Sequence, residues 1–143
     1  MSHFSRLSTK IKDKSILIRC LKELGYRVTE GGEIRGHQST RAVEIAIRMS
    51  QGFDLGFSQG PSGSYDLIAD WWGAKSISRE QFTRDLDGKF QEIQKEIEEM
   101  ERQVRREYAL QSTLKELQQK GFQVVEKQVQ PDGTVKISAR RWR

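Results

Sequence analysis

The chain has 143 residues, of which 35% are hydrophobic and 31% are charged, and its formal net charge is +5 at pH 7. This length suits one domain with a single buried core, and no run approaches the ~18 apolar residues of a membrane-spanning helix. The single cysteine, Cys20, excludes an intrachain disulfide and favours a reducing compartment, so we expect a cytoplasmic protein.

The N-terminal part of the chain predicts a strand, a short helix and a second strand. Residues 3–11 alternate loosely between apolar and polar side chains, as a strand does. Asp13 is a suitable N-cap for an amphipathic helix from Lys14 to Leu24, and Gly25 suits the position just after its end. The following residues, 26–30, alternate again and predict the second strand.

A meander is predicted next. The polar, glycine-rich residues 31–36 indicate a loop. From Arg41 to Met49 the pattern alternates and places Val43, Ile45 and Ile47 on one face. Two further alternating runs, joined by a turn that contains glycine and proline, complete an antiparallel meander with one buried face. The two runs are residues 53–57 and 65–71, and the turn between them is residues 59–63.

The stretch from Ser78 to Lys120 predicts a long helix, because it contains no proline and its apolar residues recur every three or four positions. An unbroken helix of this length measures roughly 60 Å, more than one small sheet can cover. We therefore expect either a kink or split near Arg106 to Ser112, or a middle part that projects as a coiled-coil arm. The apolar positions are Phe82, Leu86, Phe90, Ile93, Ile97, Met100, Val104 and Tyr108.

The C-terminal part predicts a β-hairpin and contains an echo of the N-terminal part. Residues 122–129 and 134–140 flank Gln130-Pro-Asp-Gly133, which is hairpin turn chemistry with a bulge. Segments 21–30 and 117–126 share leucine, glycine, an aromatic residue, valine and glutamate at an offset of 96 residues. The echo indicates either two equivalent units packed side by side or the ordinary junction of a helix, a glycine and a strand.

Together these elements predict an α+β fold in one domain over residues 1–143. We expect a mainly antiparallel sheet with one short and one long helix on one face, followed by the C-terminal hairpin. Residues 1–73 form a βαβ unit and the meander in this interpretation, residues 78–120 the long helical segment, and residues 122–140 the hairpin.

No catalytic or metal-binding arrangement is apparent. His3 and His37 lie far apart in the chain without metal-type neighbours, so we expect no metal and no cofactor. Cys20 falls on the buried stripe of the first helix and suits a small core residue. An enzyme would need Asp66, Asp70 and His37, but two carboxylates at i and i+4 of a strand lie roughly 13 Å apart. Acid–base catalysis needs a shorter reach, so an enzyme is disfavoured.

Two surfaces are predicted to bind a partner: the apolar stripe of the long helix and the basic C-terminus. At the C-terminus arginines flank Trp142, which suits stacking on bases or docking on an acidic protein, unless Trp142 instead closes the core or covers a sheet edge. Trp71 and Trp72 point to opposite faces of a strand end, so one ring is expected in the core and the other partly exposed. The predicted partner-binding residues are Phe82, Leu86, Phe90, Ile93, Ile97, Met100, Arg140, Arg141 and Trp142.

Several short motifs occur in an order typical of a known family. They include Phe53-Asp-Leu-Gly-Phe57, Tyr65-Asp-Leu-Ile-Ala-Asp70, Gly121-Phe-Gln-Val-Val-Glu126 and Arg140-Arg-Trp142. Over nearly its whole length the chain resembles the hypothetical chloroplast reading frame 35 family, a domain of unknown function encoded in cyanobacteria and some plastid genomes. The resemblance implies a protein of the cytoplasm or chloroplast stroma of an oxygenic phototroph, and it carries no catalytic residue across.

The resemblance also implies a partner, because relatives occur beside genes for an AAA-type ATPase and a small partner protein. We therefore expect a non-enzymatic adaptor or assembly factor of a larger complex, with an AAA-type ATPase or a photosynthetic complex as partner. The alternatives are a nucleic-acid-binding protein that uses the basic C-terminal face, a homo-oligomer formed through the long helix, and an enzyme of unknown type.

Overall fold

The structure is a computed structural model that describes residues 3–49, 53–72 and 78–141. Its elements confirm the predicted α+β class, with a mainly antiparallel sheet, one short helix, one long helix and a C-terminal hairpin. They are β1 (Phe4–Ser8), α1 (Lys14–Glu23), β2 (Val28–Glu30), β3 (Glu33–Arg35), β4 (Thr40–Ala42), β5 (Ile45–Arg48), β6 (Asp54–Gln59), β7 (Tyr65–Asp70), α2 (Arg79–Gln119), β8 (Phe122–Val129) and β9 (Val135–Arg141).

The chain divides into two compact units, residues 1–95 and 96–143, and the division falls within α2. The first unit contains the elements from β1 to the N-terminal part of α2, and the second contains the rest of α2 with β8 and β9. That the whole chain acts as one domain stays a prediction. No helix in the described residues combines the length and the apolar composition needed to cross a membrane.

The first unit is built on a five-stranded antiparallel sheet in the order β1-β7-β6-β5-β2. This arrangement confirms the predicted antiparallel order of β5, β6 and β7, but the expectation of one buried face was wrong, because all six residues of β7 are buried. One sheet face carries Ile45, Ile47 and Phe57, all fully buried. The ring of Phe82 in α2 lies 6.3 Å from that of Phe57 and 5.4 Å from that of Tyr26, so the start of α2 covers this face.

Helix α1 begins and ends as its sequence predicts. The Asp13 carboxylate accepts a hydrogen bond from the Ile16 N–H at 3.1 Å, and Gly25 follows the helix with a φ of +94°. Cys20 has no exposed surface, and its burial raises the pKa of its thiol to about 11. A thiol in this state is a packing residue, because the reactive species is the thiolate.

The second face of the sheet is covered by a small hairpin that the sequence did not predict. The assignment of residues 31–36 to a loop was wrong, because β3 lies within them and pairs with β4. The placement of Val43 beside Ile45 and Ile47 was also wrong. Val43 instead packs with Ile34, Ala46 and Ile68 on the second face. The alternation of apolar and polar residues in the sequence continues across the break between β4 and β5. It therefore does not show that these two strands belong to different sheets.

Gly56 lets this hairpin approach the sheet. A Cβ atom at Gly56 would lie 2.7 Å from Val43 Cγ1 and 3.0 Å from Ile34 Cγ2. We therefore expect Gly56→Ala to lower the free energy of unfolding by about 1–3 kcal/mol, as overpacking does. The matched control is Gly88→Ala on α2, where a Cβ meets nothing within 4 Å, and it should raise stability by up to about 1 kcal/mol. Urea denaturation measures both, and equal effects of the two substitutions would contradict the close packing.

Helix α2 is a single element of 41 residues and is not split. The Ser78 hydroxyl caps its start by accepting the Gln81 N–H at 3.0 Å. Gly121 ends it with a φ of +85°, and its N–H donates to Gln118 O at 3.1 Å. Gly25 after α1 has the same left-handed conformation and also donates its N–H to the carbonyl three residues before it. The sequence echo at an offset of 96 residues therefore corresponds to two similar junctions, each with a glycine at the end of a helix.

In the second unit β8 and β9 form the predicted C-terminal hairpin. Gly133 has a φ of +87° in the turn, its N–H donates to Gln130 O at 2.9 Å, and a register shift between Val124 and Glu126 marks a bulge in β8. Val124, Val135 and Ile137 are half-buried, and Leu110 of α2 is buried. These side chains form the small apolar core of this unit.

Candidate functional site

Four apolar side chains on one face of α2 form an uncovered stripe in the second unit. Met100, Val104 and Tyr108 are 58%, 68% and 76% exposed, and Ile97 is half-buried. Their spacing of three, four and four residues places them on a single helix face. We refer to Ile97, Met100, Val104 and Tyr108 as the 97–108 stripe.

The stripe is uncovered because the hairpin packs on a different side of the helix. Leu110 and Thr113 line a groove with Gly133 and Val135 of the hairpin. At 100° per residue, Leu110 lies about a third of a turn around the helix from the 97–108 stripe. The hairpin therefore covers one side of α2 and leaves the side that carries the 97–108 stripe exposed to solvent.

Two opposite charges border the stripe. Glu101 and Arg105 line a shallow groove of about 510 Å³ together with Ile97, Met100 and Val104. The Glu101 Oε2 and Arg105 Nη2 atoms are 3.9 Å apart, and both side chains are more than 60% exposed. An ion pair this long and this hydrated contributes little to stability, so both groups are available to a partner.

The other predicted helix residues lie in the first unit. Phe82, Leu86 and Ile93 are at most 2% exposed, and Phe90 is half-buried. The protein itself already covers the first three, and a partner could reach them only if they left the core. Phe82, Leu86 and Ile93 are therefore not part of the candidate site, whereas Ile97 and Met100 belong to it.

The basic C-terminal face has mixed charge over the described residues. Lys136 and Arg140 are exposed on one side of the hairpin. Glu126 of β8 pairs with Ser138 of β9 and lies on that same side. Arg141 stacks over Phe122, with its guanidinium carbon 5.3 Å from the ring centroid. Trp142 lies outside the described residues. Nucleic-acid binding by this face stays a prediction.

Asp54 is a fully buried carboxylate that holds the β3–β4 hairpin on the sheet. It accepts the Arg35 N–H at 2.8 Å, the Arg35 Nε and Nη2 at 2.9 Å, the Arg48 Nη1 at 2.9 Å and the Met49 N–H at 3.2 Å. Burial alone would raise the pKa of Asp54, but the hydrogen bonds and the charge of Arg35 outweigh it and lower the pKa to about 2. Asp54 therefore stays ionised and serves as an anchor.

The carboxylates of Asp66 and Asp70 have separate partners. Asp66 accepts the Arg6 Nε at 3.1 Å and the Ser8 hydroxyl at 3.2 Å. Asp70 accepts the His37 backbone N–H at 2.8 Å, so His37 contributes its main chain to this contact. The three residues of the enzyme alternative thus hold strands and a loop in place. Among the described residues, no group of three or more His, Cys, Asp or Glu side chains could hold a metal ion.

The comparisons with known proteins identify the family. Residues 20–138 match the family described as "Protein of unknown function (DUF1257)". The chain belongs to this DUF1257 family. Three relatives, each named "Uncharacterized protein ycf35", come from Cyanophora paradoxa, Pyropia yezoensis and Guillardia theta. They are 28%, 27% and 27% identical over 99–100% of this chain and 98–99% of their own length. The predicted resemblance to the reading frame 35 family is thereby confirmed. No solved structure matches the chain.

The end of the sheet in this DUF1257 protein carries one further exposed aromatic side chain. Trp72 is 72% exposed, with its ring centroid 5.5 Å from that of His3. Trp71 is only half-buried, so one tryptophan is exposed as predicted, but neither ring lies fully in the core.

The anchoring role of Asp54 was not predicted from the sequence. The available signal was an aspartate at the start of an apolar strand.

Proposed function

We propose that this DUF1257 protein is a non-enzymatic interaction protein that binds a protein partner through the 97–108 stripe. The observation that carries the proposal is the exposure of three large apolar side chains in a row, Met100, Val104 and Tyr108. Contiguous apolar patches on a protein surface mark interaction sites. Burying one such side chain completely contributes about 1.5–3 kcal/mol, so covering the stripe supplies a substantial driving force.

We further propose that the protein has an accessory or assembly role in a larger complex of a phototroph. The complex would lie in the cytoplasm or the chloroplast stroma. An AAA-type ATPase and a photosynthetic complex are the partners to look for. The buried carboxylates support a non-enzymatic role, because Asp54, Asp66 and Asp70 all accept hydrogen bonds that hold the fold together.

Affinity purification from the native cell tests this proposal. We expect the tagged chain to recover specific proteins, and Val104→Glu to reduce their recovery at least about tenfold, because it places a charge in an apolar contact. The matched control is Val125→Glu, which makes the same change at another exposed valine, 55% exposed in β8. Equal recovery by the two variants, or recovery of no protein other than this chain, would refute the proposed binding of a cellular partner at the stripe.

A further inference from the structure

We infer that the stripe binds a second copy of this chain, with the two α2 helices packed antiparallel around Arg102. This inference rests on the proposed function, because it names the occupant of the same surface. It is carried by the order of apolar and charged residues on either side of Arg102.

The apolar side chains are arranged almost symmetrically about Arg102. Met100 and Val104 lie two residues before and after it, while Ile97 and Tyr108 lie five before and six after. When two such helices run antiparallel, Met100 of each copy meets Val104 of the other, and Ile97 meets Tyr108. A twofold symmetric contact needs this self-complementarity, in which residue i meets j and j meets i.

The charges change sign at Arg102, whereas the apolar residues repeat on both sides of it. This change of sign favours the association of two antiparallel copies. Residues 98–101 contain three glutamates, and residues 102–106 contain three arginines. Of these charged side chains Glu101 and Arg105 border the stripe, so antiparallel helices bring them beside the opposite charges of the other copy, whereas Arg106 lines the groove beside the hairpin. Parallel helices in register place like charges together, which is unfavourable.

Glu101 and Arg105 define the contact more closely. Both line the groove beside Met100 and Val104, on the same flank of the stripe. In an antiparallel pair this flank meets its own copy, so Glu101 of each chain approaches Arg105 of the other, twice per dimer. Their separation of 3.9 Å within one chain leaves each free to change partner.

Glutamates on the opposite flank oppose the pairing in either orientation. In the antiparallel pair Glu96 approaches Glu107 of the other copy, and in a parallel pair Glu96 approaches Glu101. Each arrangement therefore contains like charges, but only the antiparallel one also gains the two contacts between Glu101 and Arg105. The balance of charges favours the antiparallel dimer.

The size of the stripe predicts a weak dimer. A contact of about three helical turns buries less than the ~1,600 Å² of a standard interface. Dissociation in the micromolar range, on the order of 10 μM, is therefore expected.

Sedimentation of the full chain over a concentration series up to about 100 μM tests the dimer. We expect a reversible dimer, and Val104→Glu should raise its Kd by about 100-fold or more, because two charges enter an apolar contact. Val125→Glu should leave the Kd unchanged. A wild-type chain that stays monomeric throughout the series would overturn the inference.

A charge exchange tests the orientation. Glu101→Arg and Arg105→Glu should each weaken the dimer about tenfold, and the double variant should restore it, because each pair is then rebuilt with its signs reversed. In a parallel dimer Glu101→Arg would instead relieve its contact with Glu96 and strengthen association. That result, or a double variant as weak as the single ones, would overturn the antiparallel arrangement.

The two proposals fail in different ways. A monomeric chain whose Val104→Glu variant still loses its cellular partners would overturn the second copy and leave the proposed function standing. A chain that dimerises through the stripe, but whose Val104→Glu variant loses no cellular partner, would overturn the assembly role and leave the dimer standing.

Discussion

Replacing Asp54 by alanine is expected to lower the free energy of unfolding by about 3 kcal/mol. The change removes the acceptor for the backbone N–H groups of Arg35 and Met49 and for two guanidinium groups. The guanidinium groups of Arg35 and Arg48 are about half exposed and regain water, so the loss comes mainly from the backbone groups and the emptied site. Chemical denaturation followed by circular dichroism measures it.

The control for this prediction is Glu33→Ala, which removes an exposed carboxylate from the same hairpin. Surface substitutions of this kind change stability by less than about 0.5 kcal/mol. If Asp54→Ala cost no more than Glu33→Ala, Asp54 would not anchor the hairpin.

Acid should remove the contribution of Asp54 in a defined range of pH. Its pKa is about 2 in the folded chain, against an ordinary value of 3.8. Because the folded value is the lower one, the stabilisation is complete above 3.8 and is lost as the pH falls towards 2. The lost stability is on the order of 2 kcal/mol. We expect the Asp54→Asn variant to show a flatter stability profile over this range, whereas an unchanged profile would contradict the ionised anchor.

Phe82→Ala is expected to destabilise the protein by about 3–5 kcal/mol, the usual cost of removing a buried aromatic ring. Phe82 has no exposed surface, and its ring contacts those of Tyr26 and Phe57. The substitution leaves a cavity between α2 and the sheet, which the surroundings fill only in part. Urea denaturation at low protein concentration gives the difference in the free energy of unfolding.

Tyr108→Ala supplies the matched control, because it removes an aromatic side chain from the same helix at a position that is 76% exposed. Its effect on the stability of the monomer should stay within about 0.5 kcal/mol. The contrast separates the covered part of the apolar pattern of α2 from the uncovered part. Similar losses for both variants would mean that Tyr108 is also covered.

The elements that could be predicted from the sequence are those with a local signal. Asp13 and Gly25 specify the ends of α1 through a side-chain cap and a left-handed backbone position. The Gln130–Gly133 turn specifies the C-terminal hairpin in the same way. The recurrence of apolar residues predicts α2 and identifies which face is apolar, because both depend only on 3.6 residues per turn.

The β3–β4 hairpin could not be predicted, because its strands have three residues each and are too short for a periodic pattern. Its position depends on Asp54, which is distant in the chain, and on the absence of a side chain at Gly56. Nothing near residues 33–42 encodes these contacts. The role of Asp54 follows from the same tertiary packing.

The sequence by itself determined that α2 is a long helix with one apolar face, and the tertiary structure decided which part of that face is covered. Phe82 and Met100 occupy equivalent positions in the periodic pattern, yet the first is buried and the second is 58% exposed. Periodicity is a property of neighbouring residues, whereas burial requires another element to arrive from a distant part of the chain. The sheet covers the helix around Phe82, whereas Met100, Val104 and Tyr108 stay exposed.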